Sequence, residues 1–85
     1  MIDKILIEVL CPSVSRRWDF RIPTRMKLSD VKEQMIADIQ LYEGSDIIFS
    51  NPESVFLMNS DGEVLNGEFT AEESGIDSGD VIMII

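Results

Sequence analysis

The amino-acid sequence predicts an α+β domain in which one main helix covers a mixed sheet of four to five strands. Near the N-terminus, the short segment from Lys4 to Leu10 is rich in β-branched residues, and the segment from Trp18 to Ile22 alternates apolar and charged residues, as strands do. Further along, apolar residues recur every three or four positions, which is the spacing of one helix face. The chain closes on the strongly apolar run from Val81 to Ile85. With 85 residues there is room for one hydrophobic core, so residues 1–85 are predicted to form a single domain.

The first strand is predicted from Lys4 to Leu10, a segment rich in β-branched residues and too short for an amphipathic helix. Its period of two divides the side chains between two faces. One face is apolar throughout and carries Ile5, Ile7 and Val9. The other face carries Leu6, Glu8 and Leu10. Because Glu8 should face water, the face with the two isoleucines is predicted to line the core.

A turn is predicted over residues 11–15, because Pro12 has no N–H to donate to a sheet ladder. The segment from Trp18 to Ile22 then alternates apolar and charged residues, and Pro23 ends this second strand. The two strands are expected to pair as a hairpin. Trp18 falls on the inner face, which favours a place in the core; an exposed Trp18 beside the two preceding arginines would instead be a binding anchor.

A helix is predicted next, because four apolar residues recur at intervals of three and four: Leu28, Val31, Met35 and Ile39. Ser29 is the predicted N-cap, and Asp30 lies in the first turn, where the helix dipole favours an acidic residue. Gly44 is the predicted C-terminal stop. These bounds give about three or four turns.

The segment after the helix leaves two interpretations open. Residues 47–49 form either a short buried strand or a loop pinned to the core, before an Asn-Pro break at 51–52. A third strand is predicted from Val55 to Asn59, a hairpin turn over 60–62 and a short fourth strand from Glu63 to Leu65. The element order is therefore ββαβββ, or ββαββ with small extras.

Charge argues against nucleic acid as a partner, because the net charge of −9 would repel phosphates. The charge is also unevenly placed. Up to Lys32 seven basic residues face four acids, a balance of +3, while from Glu33 onward there are twelve acids and no base, a balance of −12. This asymmetry either orients a protein partner or only keeps acidic loops solvated.

The sequence also predicts a cytoplasmic location without a membrane span. No apolar run approaches the roughly 18–20 residues that a span needs. The N-terminal residues Met1 to Lys4 lack the layout of a signal peptide. The single cysteine, Cys11, leaves no internal disulfide and suits a reducing compartment.

The residues offer no basis for catalysis, for a cofactor or for a metal site. There is no histidine, so the commonest general base is missing. Cys11 has no histidine partner to activate it and is predicted to be structural or incidental. One cysteine does not make a zinc site, and the glycines follow no phosphate-loop pattern. We therefore expect a protein that is not an enzyme.

The C-terminal part of the chain carries a more specific signal. Leu65-Asn66-Gly67 is followed by Gly75-Ile76, two further residues, and then Gly79-Asp80 directly before the last strand. This run resembles the pattern of ubiquitin-like β-grasp domains, and within that superfamily it is most similar to the YukD/EsaB-like family of small bacterial proteins. The resemblance covers essentially the whole chain; its motif spans Val64 to Ile85, and the N-terminal half matches in pattern only.

The resemblance implies a cytoplasmic accessory protein of a bacterial type VII (WXG100) secretion system, with protein components of the membrane apparatus as partners. Conjugated ubiquitins and sulfur carriers act through a flexible tail ending in Gly-Gly. This sequence stops at Ile85 within a predicted strand, so neither conjugation nor sulfur carriage is expected. Within the motif, Ile76 is expected to anchor its loop in the core, Gly75 and Gly79 to allow tight turns, and Asp80 to accept hydrogen bonds from nearby backbone amides.

The predicted protein-binding surface is the outer face of the sheet, which the helix leaves uncovered. Alternate apolar residues of the first and last strands point there: Leu6, Leu10, Val81, Met83 and Ile85. A contiguous exposed apolar patch is typical of interfaces, and this face is the usual docking surface of ubiquitin-like domains. Three alternatives remain open: the loop around 47–49 covers the patch, the alternation is shifted by one residue, or the outer faces of two copies pair as a homodimer.

Overall fold

The fold was analysed in a computed structural model, which describes residues 3–44, 49 and 51–85. In this part of the chain the elements are β1 (Lys4–Cys11), β2 (Arg16–Pro23), α1 (Leu28–Glu43), β3 (Leu57–Asn59) and β4 (Val81–Ile84). The strands form a four-stranded mixed sheet in the order β2-β1-β4-β3. The architecture confirms the predicted α+β class and the shorter of the two predicted element orders.

β1 and β2 form the predicted hairpin and pair antiparallel along their whole length, with Lys4 opposite Pro23 and Cys11 opposite Arg16. A 3₁₀ turn over Pro12–Val14 connects them. Ser15 closes the turn in the left-handed region, at φ 53°, and its N–H donates to the carbonyl oxygen of Pro12 at 3.2 Å. Because this connection is so tight, β2 begins at Arg16, two residues earlier than the alternation predicts.

The centre of the sheet is a parallel pair. β4 runs beside β1, with Leu10 opposite Met83, and the helix lies on the connection that a parallel pair requires. β3 pairs antiparallel with β4 on the other side. This ladder continues past the strand ends, because Phe56 and Ile85 exchange both backbone hydrogen bonds at 3.0 Å.

The core lies between the inner face of the sheet and α1. The central strands contribute the residues predicted from their alternation: Ile5, Ile7, Val9, Ile82 and Ile84. The helix contributes its predicted stripe: Leu28, Val31, Met35 and Ile39. All nine side chains are buried in one cluster, so the predicted faces of both strands and of the helix are confirmed. The alternative of a shift by one residue is excluded.

The helix does not start as predicted. It begins at Leu28, one residue before the predicted N-cap Ser29, and Lys27 takes the N-cap position without a capping side chain. The reason is a contact with the later loop: the N–H groups of Leu28 and Ser29 donate to the carbonyl oxygens of Phe69 and Gly67, at 2.8 and 3.0 Å. Backbone acceptors therefore satisfy the donors that a capping side chain would otherwise serve.

The other end of the helix agrees with the prediction, because Gly44 is the C-cap with φ 64°. The helix has 16 residues, slightly more than four turns. In the segment after the helix, Phe49 is half-buried and packs against the core. The rest of the predicted strand or loop at residues 47–49 lies outside the described residues.

The prediction of a fourth strand at Glu63–Leu65 is wrong. Instead of a strand, this segment forms an isolated bridge between Met58 and Val64, flanked by backbone hydrogen bonds from Asn59 N–H to the carbonyl oxygen of Glu63 at 2.9 Å and from Leu65 N–H to that of Leu57 at 2.8 Å. The turn before it is held by Asn59, whose Oδ1 accepts hydrogen bonds from the N–H groups of Asp61 and Glu63 at 3.0 and 2.9 Å. After the bridge the chain leaves β3 and supplies the two acceptors at the start of the helix. β3 itself is also shorter than predicted.

Replacing Met35 by alanine tests the packing of the helix on the sheet. Met35 is buried at the centre of the core, so the variant should lose ~2–5 kcal/mol of unfolding free energy. Urea denaturation measures the loss. Leu41→Ala is the matched control, because Leu41 lies on the same helix and is 85% exposed; its effect should stay within ~0.5 kcal/mol. Equal effects of the two variants would contradict the assigned helix face.

Candidate protein-binding face

The outer face of the sheet is the surface away from α1. Residues directly opposite each other on paired strands share a face, so the register defines which side chains meet there. One such row crosses the whole sheet and consists of Arg17, Leu10, Met83, Met58 and Val64. Four of its five members are apolar. The row is therefore continuously apolar from Leu10 in β1 to Val64, which lies beyond β3.

All five predicted site residues lie on this face, but the structure divides them. Leu10, Met83 and Ile85 are neighbours near one end of the sheet, where Ile85 is 49% exposed. Leu6 lies four residues back along β1, and its carbonyl oxygen accepts a hydrogen bond from Gly79 at 2.8 Å. The remaining residue, Val81, is opposite Glu8 in the register. Leu6 thus stands apart from the main apolar group, and Val81 lies at the border of that group, between Met83 and Glu8.

Three further residues belong to that group and were missed by the sequence reasoning. Met58 pairs with Met83, Phe56 pairs with Ile85, and Val64 bridges to Met58. Phe56 and Val64 are both more than half exposed. A strand over Val55 to Asn59 implies that alternate residues face outward, but only the pairing of β3 with β4 shows which residues these are. We call the whole group the apolar patch: Leu10, Phe56, Met58, Val64, Met83 and Ile85.

Charged residues border the apolar patch on the β2 side. Arg17 Nη1 donates to Glu8 Oε1 at 2.9 Å, and Asp19 lies opposite Glu8 in the register. The Arg17 side chain is 76% exposed, so this ion pair contributes under about 1 kcal/mol to stability. The ion pair instead marks a boundary: the outer surface is apolar at the centre of the sheet and charged at β2.

Trp18 lies on the helix side of β2, as predicted, where it is half-buried and packs against the core. Its Nε1 donates to Glu43 Oε1 at 2.9 Å, and Arg16 Nη1 donates to Glu43 Oε2 at the same distance. The Glu43 side chain is only 12% exposed. A carboxylate at the C-terminal end of a helix opposes the helix dipole, so these two donors offset that cost and fix the strand to the helix.

The C-terminal motif has the structural roles expected of it. Ile76 is buried, and Gly75 and Gly79 have φ angles of 73° and 90° that favour glycine. Asp80 Oδ2 accepts a hydrogen bond from the N–H of Asp77 at 2.9 Å. The motif therefore places the last strand beside β1 and the turn beside Leu6.

The structure also shows the surroundings of the single cysteine. Cys11 is buried, with its Sγ 3.5 Å from the hydroxyl oxygen of Ser13. Among residues 3–44, 49 and 51–85, no three cysteine or carboxylate side chains form a group that fits a metal ion. The helices described there are too short or too polar to cross a bilayer.

Comparison with known proteins identifies the fold. No protein-family model matches the sequence, and no curated protein matches it either. Among solved structures, the ubiquitin-like domain of the Mycobacterium tuberculosis type VII secretion system protein ECCD1 is similar, with TM-score 0.76, 11% identity and 99% of both chains covered. Ubiquitin of Caldiarchaeum subterraneum has TM-score 0.75 and 16% identity over 96% of this chain and 91% of that one.

A third similar structure is a chain of the MycP5-free ESX-5 inner membrane complex. It has TM-score 0.81 and 14% identity, and the match covers 99% of this chain and 21% of that one. At these identities the likeness establishes the fold alone. The protein has the ubiquitin-like β-grasp fold that the sequence predicts.

Replacing Glu43 by alanine tests the link between β2 and α1. The variant leaves Trp18 Nε1 and Arg16 without their acceptor, so the unfolding free energy should fall by ~1–3 kcal/mol. Urea denaturation followed by fluorescence of the single tryptophan measures it. Glu33→Ala, an exposed acid on the same helix, should change stability by less than ~0.5 kcal/mol. A Glu43 variant as stable as this control would show that the two hydrogen bonds do not hold the strand.

Proposed function

We propose that the protein is a ubiquitin-like protein-interaction module that binds its partner non-covalently through the apolar patch. The observation that carries this proposal is the continuity of six apolar side chains on the face that α1 leaves uncovered. Exposed apolar side chains cost solvation free energy unless a partner buries them, and contiguous patches of this kind mark interfaces. The proposed role requires neither catalysis nor a cofactor.

For the biological setting we propose a cytoplasmic accessory role in a bacterial type VII secretion system. Two findings support it. The run from Val64 to Ile85 resembles the YukD/EsaB-like family, and two of the similar structures come from type VII secretion proteins and complexes. The proposed partners are protein components of the membrane apparatus.

Co-purification from the native host tests both parts of the proposal. The tagged protein is captured, and mass spectrometry identifies the bound proteins and the intact mass of the bait. Met83→Asp places a charge at the centre of the apolar patch and should abolish capture of type VII membrane components, because a buried unpaired carboxylate is costly. Met83 points away from the core, so the variant should still fold; circular dichroism checks this.

Leu41→Asp is the matched control, because it makes the same kind of change at an exposed position on the helix side. It should capture the same partners as the unmodified protein. Equal loss from both variants would contradict docking by the outer face. Capture of unrelated proteins would contradict the secretion role but would still agree with a protein-interaction module. An increased mass of the bait would contradict non-covalent binding. Size-exclusion chromatography at tens of micromolar tests the homodimer alternative, which a monomer would exclude.

A further inference from the structure

β2 has an open edge. It is the terminal strand of the sheet, paired with β1 on one side, and none of the residues that the structure describes pairs with its other side. An unpaired edge presents a row of backbone N–H and C=O groups to solvent, which is a template for another strand. At eight residues, β2 is long enough for an extended segment to pair with it.

The register shows which backbone groups face this edge. The N–H of Thr24 donates to the carbonyl oxygen of Asp3 at 2.9 Å, so these two residues form a hydrogen-bonded pair. Hydrogen-bonded and non-hydrogen-bonded pairs alternate along an antiparallel ladder. Counting back from Thr24, the even-numbered residues of β2 bond to β1. The N–H and C=O groups of Arg17, Asp19 and Arg21 therefore point to the open edge, and Pro23, which has no N–H, limits the edge at its end.

A groove runs beside this edge, between β2 and α1, with a volume of about 440 Å³. Its walls include Trp18 and Phe20 from the strand, Ile39 and Tyr42 from the helix, and, also from the helix, the acids Asp38 and Glu43. Tyr42 is 83% exposed and lines the same groove as Trp18 and Phe20, which are half-buried. An added strand would place every second side chain into this groove, so apolar residues are favoured at those positions.

The groove is fixed in place before any ligand binds. Glu43 holds Trp18 and Arg16 at 2.9 Å each, which ties the start of β2 to the last turn of α1. A preorganised site loses less conformational entropy on binding than a flexible one.

The charges along the edge determine which strand fits. On the outer face β2 presents Arg17, Asp19 and Arg21 in succession. A second copy pairing antiparallel about Asp19 would place Asp19 against Asp19 and Arg17 against Arg21, and like charges directly opposite each other are destabilising. Complementary charges are instead supplied by a strand with acids opposite the two arginines and a basic or neutral polar residue opposite Asp19.

We propose that the open edge of β2 is a second docking site, which binds an extended segment of a partner protein by antiparallel strand addition. The segment alternates apolar residues, which enter the groove beside Trp18 and Phe20, with charged residues, which include acids opposite Arg17 and Arg21. This site lies at the opposite edge of the sheet from the β3 side of the apolar patch. It stands independently of the proposed function.

Titration with a synthetic peptide tests the site by amide NMR of the full chain. The probe is acetyl-Thr-Glu-Val-Lys-Val-Glu-Thr-amide, which has the predicted alternation. Backbone amide signals of Arg17, Asp19 and Arg21 should shift, while those of Met58 and Met83 should not. A peptide with the same residues in the order Thr-Val-Val-Lys-Glu-Glu-Thr should bind at least about tenfold more weakly, because it loses cross-strand pairs on both faces.

Two N-methylated peptides separate strand addition from simple insertion into the groove. Methylation at the Glu, Lys and Glu amides removes the donors that face β2 and should abolish binding. Methylation at the two Val amides, which face away, should leave it. Charge reversal at Arg17→Glu together with Arg21→Glu should weaken binding about tenfold or more, whereas Met83→Asp should leave it unchanged even if it abolishes docking by the apolar patch.

Three results would overturn the proposal. The first is that no backbone amide signal shifts at millimolar peptide concentration. The second is that the shifts centre on Met58 and Met83 instead of β2. The third is that the two methylated peptides bind equally well.

Discussion

One helix can cover only one face of the sheet, and the rest of the structure follows from this constraint. β1 and β4 lie at the centre, so each must bury one set of alternate residues and leave the other set exposed. Ile7 and Ile82 illustrate the buried set, and Leu10 and Met83, which are half-buried, belong to the set that faces away from the helix. Apart from Lys4 and Glu8, the outward-facing members of both strands are apolar although no helix covers them. Burial on one side therefore fixes the position of the apolar patch on the other.

Charge complementarity within the chain closes the fold around this core. Three ion pairs join a base from the first part of the sequence to an acid from the second: Arg16–Glu43, Arg25–Glu72 and Lys27–Glu68. Lys32 adds a hydrogen bond to the carbonyl oxygen of Val55 at 3.0 Å. Ion pairs within the molecule thus neutralise part of the uneven charge of the sequence. Exposed pairs of this kind stabilise little individually, and the remaining acids keep the surface strongly negative.

Local periodicity was sufficient to predict the sheet faces and the helix stripe, and the conformational freedom of glycine was sufficient to predict that Gly44 ends the helix. The misassigned elements depend on contacts between distant parts of the chain. Ser29 has the chemistry of an N-cap, but the loop carrying Gly67 and Phe69 supplies the acceptors instead. Phe56 and Met58 lie on the outer face because β3 pairs with β4 in one particular register, and three strand residues are too few to specify a register by themselves.

The central claim is that the apolar patch is open to solvent while the inner face is sealed. Selective labelling of the methionine methyl groups, with a soluble paramagnetic agent added, measures this directly. The methyl signals of Met58 and Met83 should be strongly broadened, and that of the buried Met35 should be protected. Protection of Met58 and Met83 equal to that of Met35, in a protein shown to be monomeric, would mean that the chain covers its own outer face and would contradict the account.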